Sequence, residues 1–124
     1  MNVRTMAGAV AMSLSLLVVP IAHSAPSTEV QVEISFLLGY IEGSGCEFYR
    51  NGSWYNSKAA QAHLREKYKY MAARNLISTT ENFIDGAATE SSLTGQPYAV
   101  KCNGFKAISS NKWLHDELAR LRNY

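Results

Sequence analysis

The sequence has few of the residues from which catalytic and metal sites are built. It contains three histidines and two cysteines, and none of them falls in an H-E-x-x-H or C-x-x-C spacing. It also has no G-x-S-x-G motif and no glycine-rich phosphate loop before a helix. The motifs of zinc proteases, dithiol oxidoreductases, α/β-hydrolases and P-loop enzymes are therefore missing. We predict no metal site and no cofactor.

A large excess of one charge is missing as well. The chain has 12 basic and 10 acidic residues, a net charge of +2. General nucleic-acid binders carry a much larger basic excess, because they neutralise many phosphates. A nucleic acid is therefore not expected as a partner.

Long apolar runs are rare, and the one that exists is at the N-terminus. Arg4 precedes an almost wholly apolar run at 6–19, and small residues follow at 22–25. A basic start, a short apolar run and a small-x-small ending are typical of a secretory signal peptide. A transmembrane helix needs about 20 apolar residues, so the run is short for that alternative. We predict cleavage after Ser24, with residues 1–24 as the signal peptide.

The predicted mature chain, residues 25–124, has the length of one small domain. Without Arg4 it holds 11 basic and 10 acidic residues, a net charge of +1. It has no second apolar run, so no transmembrane segment is expected after cleavage. The signal peptide predicts an exported, soluble protein.

Two cysteines, Cys46 and Cys102, lie in the predicted mature chain. An oxidising compartment favours their pairing, and two cysteines allow one intramolecular disulfide. Closing so long a loop would stabilise the fold by roughly 4 kcal/mol on the chain-entropy model. The alternatives are two buried thiols or a redox pair, although a redox pair normally has C-x-x-C spacing. We predict a structural disulfide.

Hydrophobic periodicity predicts four helices in the mature chain. Their starts are expected near Glu29, Ser57, Ser78 and Ser110. The first should end at Gly43–Gly45, and Ser78 to Glu81 has the pattern of a capping box.

Two short strands are predicted around the cysteines, at 46–50 and 98–102. If the disulfide joins them as antiparallel neighbours, the register brings an apolar pair and an opposite-charge pair together, and both stabilise a sheet. This register gives the pairs Glu47–Lys101, Phe48–Val100 and Arg50–Tyr98.

The segment after the first strand, Asn51-Gly52, allows two interpretations. Asn-Gly is a strong signal for a two-residue β-hairpin, but an isolated hairpin with such short arms is marginal. We therefore favour a sharp exit from the strand, with Trp54 and Tyr55 covering the sheet edge; a third strand at 53–55 is the alternative. The expected fold is α+β, with about four helices packed around a small two- to three-stranded antiparallel sheet. Phe48, Trp54 and Trp113 are expected in the core.

The helix that begins at Ser57 carries most of the basic side chains. From Lys58 to Arg74 it has five basic residues and one acid. Such a helix is either a cationic groove for an anionic partner or a solvated face whose long stems cover apolar neighbours. One flank carries His63, Lys67, Tyr70 and Arg74 at helical spacing, and the other carries Arg65 and Lys69.

Several segments resemble the YfeK-like family of small secreted proteins of Gram-negative bacteria, which have no assigned activity. The segments are FYRNGSWYNSKAAQAHLREK, ISTTENFIDGAATESSLTGQPYAVKC and the terminal WLHDELARL. The resemblance implies a periplasmic α+β domain. It transfers no catalytic or binding residue to this chain.

These observations favour a non-enzymatic binding or interaction module. The expected partner is an anionic envelope polymer, a lipid or a periplasmic protein. The alternative is a small envelope hydrolase acting on cell-wall material, with His63 as the base. The candidate binding residues are Arg50, Asn51, Tyr55, His63, Arg65, Lys67, Arg74 and Tyr98.

Overall fold

The computed structural model describes residues 8, 10–17 and 25–124. Residues 8 and 10–17 form neither helix nor strand; the rest of the predicted signal peptide, with its cleavage site, lies outside the described residues. In order, the elements are α1 (Thr28–Gly43), β1 (Glu47–Arg50), β2 (Ser53–Asn56), α2 (Ser57–Ala73), α3 (Thr80–Ala87), β3 (Ala99–Lys101), β4 (Ile108–Ser109) and α4 (Ser110–Arg122). None of the helices in the described part is long and apolar enough to cross a membrane.

Each helix begins at a polar N-cap whose side chain accepts a backbone N–H, as helix starts require. Ser27 caps α1 and Asn56 caps α2, close to the predicted helix starts. The predicted capping box at Ser78 and the predicted start at Ser110 are each wrong by one residue. The capping box of α3 is formed by Thr79 with Asn82, and the cap of α4 is Ser109. Because the neighbouring residue also carries a hydroxyl group in both cases, the sequence pattern does not distinguish the two possible cap positions.

The predicted α+β fold is confirmed. The described strands form one antiparallel sheet in the order β2-β1-β3-β4, one strand more than predicted. The predicted disulfide between Cys46 and Cys102 is present. The β1–β3 register contains the predicted pairs Glu47–Lys101 and Phe48–Val100.

The prediction that Asn51-Gly52 is an exit without a hairpin is wrong. β1 and β2 pair as a hairpin, with Phe48 opposite Tyr55. Both turn residues have positive φ, 48° for Asn51 and 86° for Gly52, as a two-residue hairpin turn needs. The hairpin is not isolated, because β3 pairs with the other edge of β1. The argument that a lone hairpin is marginal therefore does not apply.

The core lies where the sheet and the helices meet. α1 packs against the other three helices, while α2 and α4 contact the sheet. Phe48 is buried and packs edge-on against Trp113, which is half-buried. The prediction that Trp54 belongs to the core is wrong, because 45% of it is exposed. Trp54 is on β2, an edge strand, and packs against Tyr49.

Candidate functional site

The site is built on one face of the β1–β2 hairpin. Arg50 follows Phe48 by two residues, so their side chains lie on the same face of the strand. Tyr55 is opposite Phe48 in the register and shares that face. The first half of α2 covers this face, because Asn56 caps the helix directly after β2.

A cavity of about 170 Å³ lies between the hairpin and α2. Most of its wall is apolar, and the polar groups of Arg50, His63 and Tyr98 lie at its border. Its lining residues are Phe48, Tyr49, Arg50, Tyr55, Ala59, Ala60, His63, Leu64, Tyr98 and Ser110. An apolar cavity bordered by a few polar side chains is the usual form of a small-ligand site.

Arg50 and His63 form the closest polar contact of the site. Arg50 Nη1 lies 2.8 Å from His63 Nδ1 and 3.0 Å from Nε2. A guanidinium has only donors, so one ring nitrogen must accept the hydrogen bond. Burial lowers the pKa of His63, and the charges of Arg50 and Lys67 lower it further. The imidazole is therefore held in its neutral form.

Lys67 and Tyr98 close the other side of the site. Lys67 Nζ donates to the carbonyl of Glu90 at 3.3 Å and to the Tyr98 hydroxyl at 3.4 Å. It also lies 5.2 Å from the centre of the Tyr98 ring. Burial lowers the pKa of Lys67 and the charge of Arg50 lowers it further, while the charge of Glu90 opposes both effects. Burial also raises the pKa of Tyr98.

The two cations of the site form no ion pair within the described part of the chain. Among residues 25–124, neither Arg50 nor Lys67 lies within 4.0 Å of a carboxylate oxygen. Arg50 instead lies over the Tyr55 ring, 4.9 Å from its centre. Both side chains belong to half-buried residues. Half-buried cations that form no ion pair are suited to receive an anion.

Asn51 connects the hairpin tip to the loop before β3. Its Nδ2 donates to Ser91 Oγ at 3.0 Å, and its Oδ1 accepts from Thr94 Oγ1 at 2.7 Å. The Ser91 hydroxyl also accepts the N–H groups of Leu93 and Thr94. These contacts hold the loop that leads into Tyr98. Sequence reasoning missed Ser91 and Thr94, although their polar loop directly precedes Tyr98.

The structure brings five of the eight predicted residues together: Arg50, Tyr55, His63 and Tyr98 line the cavity, and Lys67 contacts Tyr98 beside it. Asn51 is adjacent through its loop contacts. Two residues lie elsewhere. Arg65 lies in a groove between α1 and α2 that also contains Glu42. Arg74 is the C-cap of α2, and its guanidinium lies 3.5 Å from the centre of the Tyr70 ring.

The small residues Ala59, Ala60 and Ser110 were not predicted as site residues. They line the cavity, and their small side chains leave its volume unfilled. Alanine is common on helices, so nothing in the sequence distinguishes these alanines from those elsewhere. Among the residues that the structure describes, no group of three or more His, Cys, Asp or Glu side chains is placed to hold a metal ion.

Comparison with known proteins finds relatives of unknown function. The model of a family described as "Family of unknown function (DUF5329)" matches residues 28–122. The "Uncharacterized protein YfeK" of Salmonella typhimurium strain LT2 is 49% identical over 51 residues. That match covers 41% of this chain and 41% of the relative, so it spans less than half of either protein. No solved structure matches the chain.

Proposed function

The chain belongs to the DUF5329 family and is YfeK-like, and since the family has no known function we propose one from the site. We propose a non-enzymatic periplasmic binding module that holds the anionic group of an envelope component at Arg50 and Lys67. The observation that carries this proposal is a pair of half-buried cations with no carboxylate within ion-pair distance in the described chain, beside an apolar cavity. The periplasmic location is supported by the predicted signal peptide and by the disulfide.

The contacts of His63 favour binding over general-base catalysis. A general base needs a ring nitrogen that is able to accept a proton from the substrate or a water. In this site both ring nitrogens lie within 3.0 Å of the same Arg50 Nη1, whose positive charge disfavours a proton on the ring. The lowered pKa further weakens the ring as a base. A ring held neutral by Arg50 acts instead to position the guanidinium.

The test is retention on purified cell-wall sacculi and on vesicles that contain anionic lipid. We expect the wild-type protein to bind one of them at low salt. Binding should weaken as salt rises, because exposed charges are screened over about 8 Å at physiological ionic strength. The double variant Arg50→Gln, Lys67→Gln should lose retention, since both cations that meet the anion are gone.

The matched control is Lys58→Gln, Lys69→Gln, which removes the same number of positive charges, both from α2. Both lysines are exposed, and neither lines the cavity. This variant should keep its retention. Equal losses in the two double variants would show that net charge alone drives binding, and the site would then have no special role. A wild-type protein that binds neither material at low salt would overturn the proposal.

A further inference from the structure

We infer that the ligand group held at this site is a compact hydrophobic carboxylate, whose ring or short branched body fills the cavity while its carboxylate meets Arg50. The inference rests on the proposed function and narrows it to one class of anion. It is carried by two features of the site: the size and apolar wall of the cavity, and the donors that Arg50 still has available.

The cavity has the size and surface for one small apolar group. Its volume of about 170 Å³ is close to that of an apolar protein cavity of about 150 Å³ that binds benzene. Phe48 and Leu64, both buried in the core, form part of its wall. A six-membered ring or a branched aliphatic group fits such a space. A polysaccharide segment, with its many hydroxyls, would leave polar groups unpaired there.

The donors of Arg50 match a carboxylate. Of its three guanidinium nitrogens, only Nη1 contacts His63. The Nε–Nη2 edge makes no hydrogen bond within the described chain, and its two parallel N–H groups suit the two oxygens of a carboxylate. His63 therefore orients the fork at the cavity border and leaves its binding edge open.

A phosphate fits the same site less well. It carries up to two negative charges and three oxygens, and each needs donors when it is buried beside apolar walls. Beyond the Arg50 edge, the nearest other cation is Lys67, whose ammonium donates to the Glu90 carbonyl and the Tyr98 hydroxyl and so has one N–H left for the anion. A single negative charge spread over two oxygens matches this supply of donors better.

Binding of small probes to the folded protein, measured by calorimetry and by backbone amide NMR, tests the inference. Benzoate should bind at least about tenfold more tightly than acetate, because acetate has no ring to bury. Benzyl alcohol, which has the ring without the charge, should also bind more weakly, and so should phenyl phosphate. The amide shifts caused by benzoate should concentrate at the hairpin and the first half of α2.

A second pair of probes tests whether the ligand is a small free acid or the C-terminal carboxylate of a peptide chain. N-acetylphenylalanine presents a carboxylate and a ring on a peptide unit, and its amide lacks the charge. Binding of the acid but not of its amide would assign the site to chain-terminal carboxylates. Binding of benzoate alone would assign it to small acids. Both results support a hydrophobic carboxylate as the ligand class.

The variant Ala59→Leu tests the cavity without touching the cations. Ala59 is an exposed residue of α2 that lines the cavity, so a larger side chain there should fill space without disturbing the core. Benzoate affinity should fall to that of acetate. Ala62→Leu is the matched control, because Ala62 is an exposed alanine of the same helix that does not line the cavity. It should leave benzoate binding unchanged.

The two proposals fail in different ways. If benzoate binds no better than acetate while retention on sacculi or vesicles still depends on Arg50 and Lys67, the hydrophobic carboxylate is overturned and the binding module stands. Preference for phenyl phosphate over benzoate would also overturn this inference alone. If neither the probes nor the envelope materials bind, both proposals fall.

Discussion

Arg50 and His63 limit each other's chemistry at the scale of single residues. The guanidinium occupies the accepting nitrogen of the ring, and the ring fixes one of the guanidinium nitrogens. The Tyr98 hydroxyl, 3.4 Å from His63 Nε2, and the nearby Lys67 complete the surroundings of the ring. Since no carboxylate within the described chain pairs with His63, protonation of the ring would add a third positive charge to the cluster.

This arrangement predicts a pH dependence of stability that originates from His63. The pKa of His63 is below its ordinary value of 6.5. Between the ordinary and the folded pKa, the unfolded chain binds a proton that the native ring does not, so stability falls with falling pH in that window. Above pH 6.5 the contribution is fully present. Urea unfolding of the wild type should therefore show a loss of stability as the pH falls from about 7 to 5.

The variant His63→Gln isolates this contribution, because glutamine keeps an acceptor for Arg50 and does not titrate. Its unfolding free energy should decrease less over the same pH range. The ring protons of His63, followed by NMR in the wild type, should titrate below pH 6.5. Parallel pH profiles for the two proteins, with titration at or above 6.5, would contradict the neutral ring.

At the scale of elements, β1 is the strand on which the others depend. It pairs with β2 on one edge and with β3 on the other. The disulfide joins the residue before β1 to the residue after β3. It thereby fixes the register in which Phe48 faces Val100 and in which Arg50 is presented to α2. The strands are short, so backbone pairing alone secures them weakly.

Removal of the disulfide should therefore destabilise the domain markedly. The double variant Cys46→Ser, Cys102→Ser should lose about 2–5 kcal/mol of unfolding free energy, the usual range for a native disulfide in a small secreted domain. Its far-UV circular dichroism should remain mainly helical, since the four helices have their own caps. The measurement is urea unfolding of the variant and of the oxidised wild type. Equal midpoints would mean that the sheet is held without the bond.

At the scale of the whole molecule, an ion cluster connects the end of the last helix to two earlier ones. Arg122 of α4 donates from Nε and Nη2 to the two carboxylate oxygens of Glu33 on α1, both at 2.9 Å. Its Nη2 also lies 2.6 Å from Glu81 on α3. Thr80 donates to Glu33 at 2.6 Å. The Arg122 and Thr80 hydrogen bonds lower the pKa of Glu33.

The variant Arg122→Gln should lower the unfolding free energy by about 1–2 kcal/mol. Hydrogen bonds to charged groups contribute about that much, and partial exposure of Arg122 reduces the effect. Among the residues that the structure describes, exposed Lys112 forms an ion pair only with Asp116 of its own helix. Lys112→Gln is therefore the matched control and should change stability by less than about 0.5 kcal/mol. Both are measured by urea unfolding at neutral pH.

Acidification provides a second test of the same cluster. The contribution of Glu33 is fully present above its ordinary pKa of 4.5 and is lost as the pH falls through its lower folded pKa. The wild type should therefore lose more stability below pH 4.5 than Arg122→Gln does. If Arg122→Gln is as stable as the wild type and its stability depends on pH in the same way, the cluster does not contribute to the free energy of unfolding.

The sequence alone predicted the features that depend on local sequence pattern and on the expected export of the chain. Apolar spacing and capping residues located the helices, because a helix is formed by neighbours along the chain. A pair of cysteines in a predicted exported chain pointed to the disulfide, and charge and apolar pairing then gave the β1–β3 register. The basic stripe on α2 already contained His63 and Lys67, two members of the cluster.

Tertiary structure decided which of these residues form a site. Arg50 meets His63 only because the hairpin and α2 pack together. Arg74 is separated from them because it lies at the C-terminal end of α2, where its guanidinium packs over the Tyr70 ring. The hairpin is part of a larger sheet because β3, about 50 residues away in sequence, pairs with the other edge of β1. That pairing leaves β2 at the edge of the sheet, so Trp54 is exposed and not part of the core. The cavity exists because the residues packed around Ala59 and Ala60 do not fill the space beside these small side chains. Contacts between distant segments and empty space beside small side chains leave no local pattern, and for that reason only the folded chain shows them.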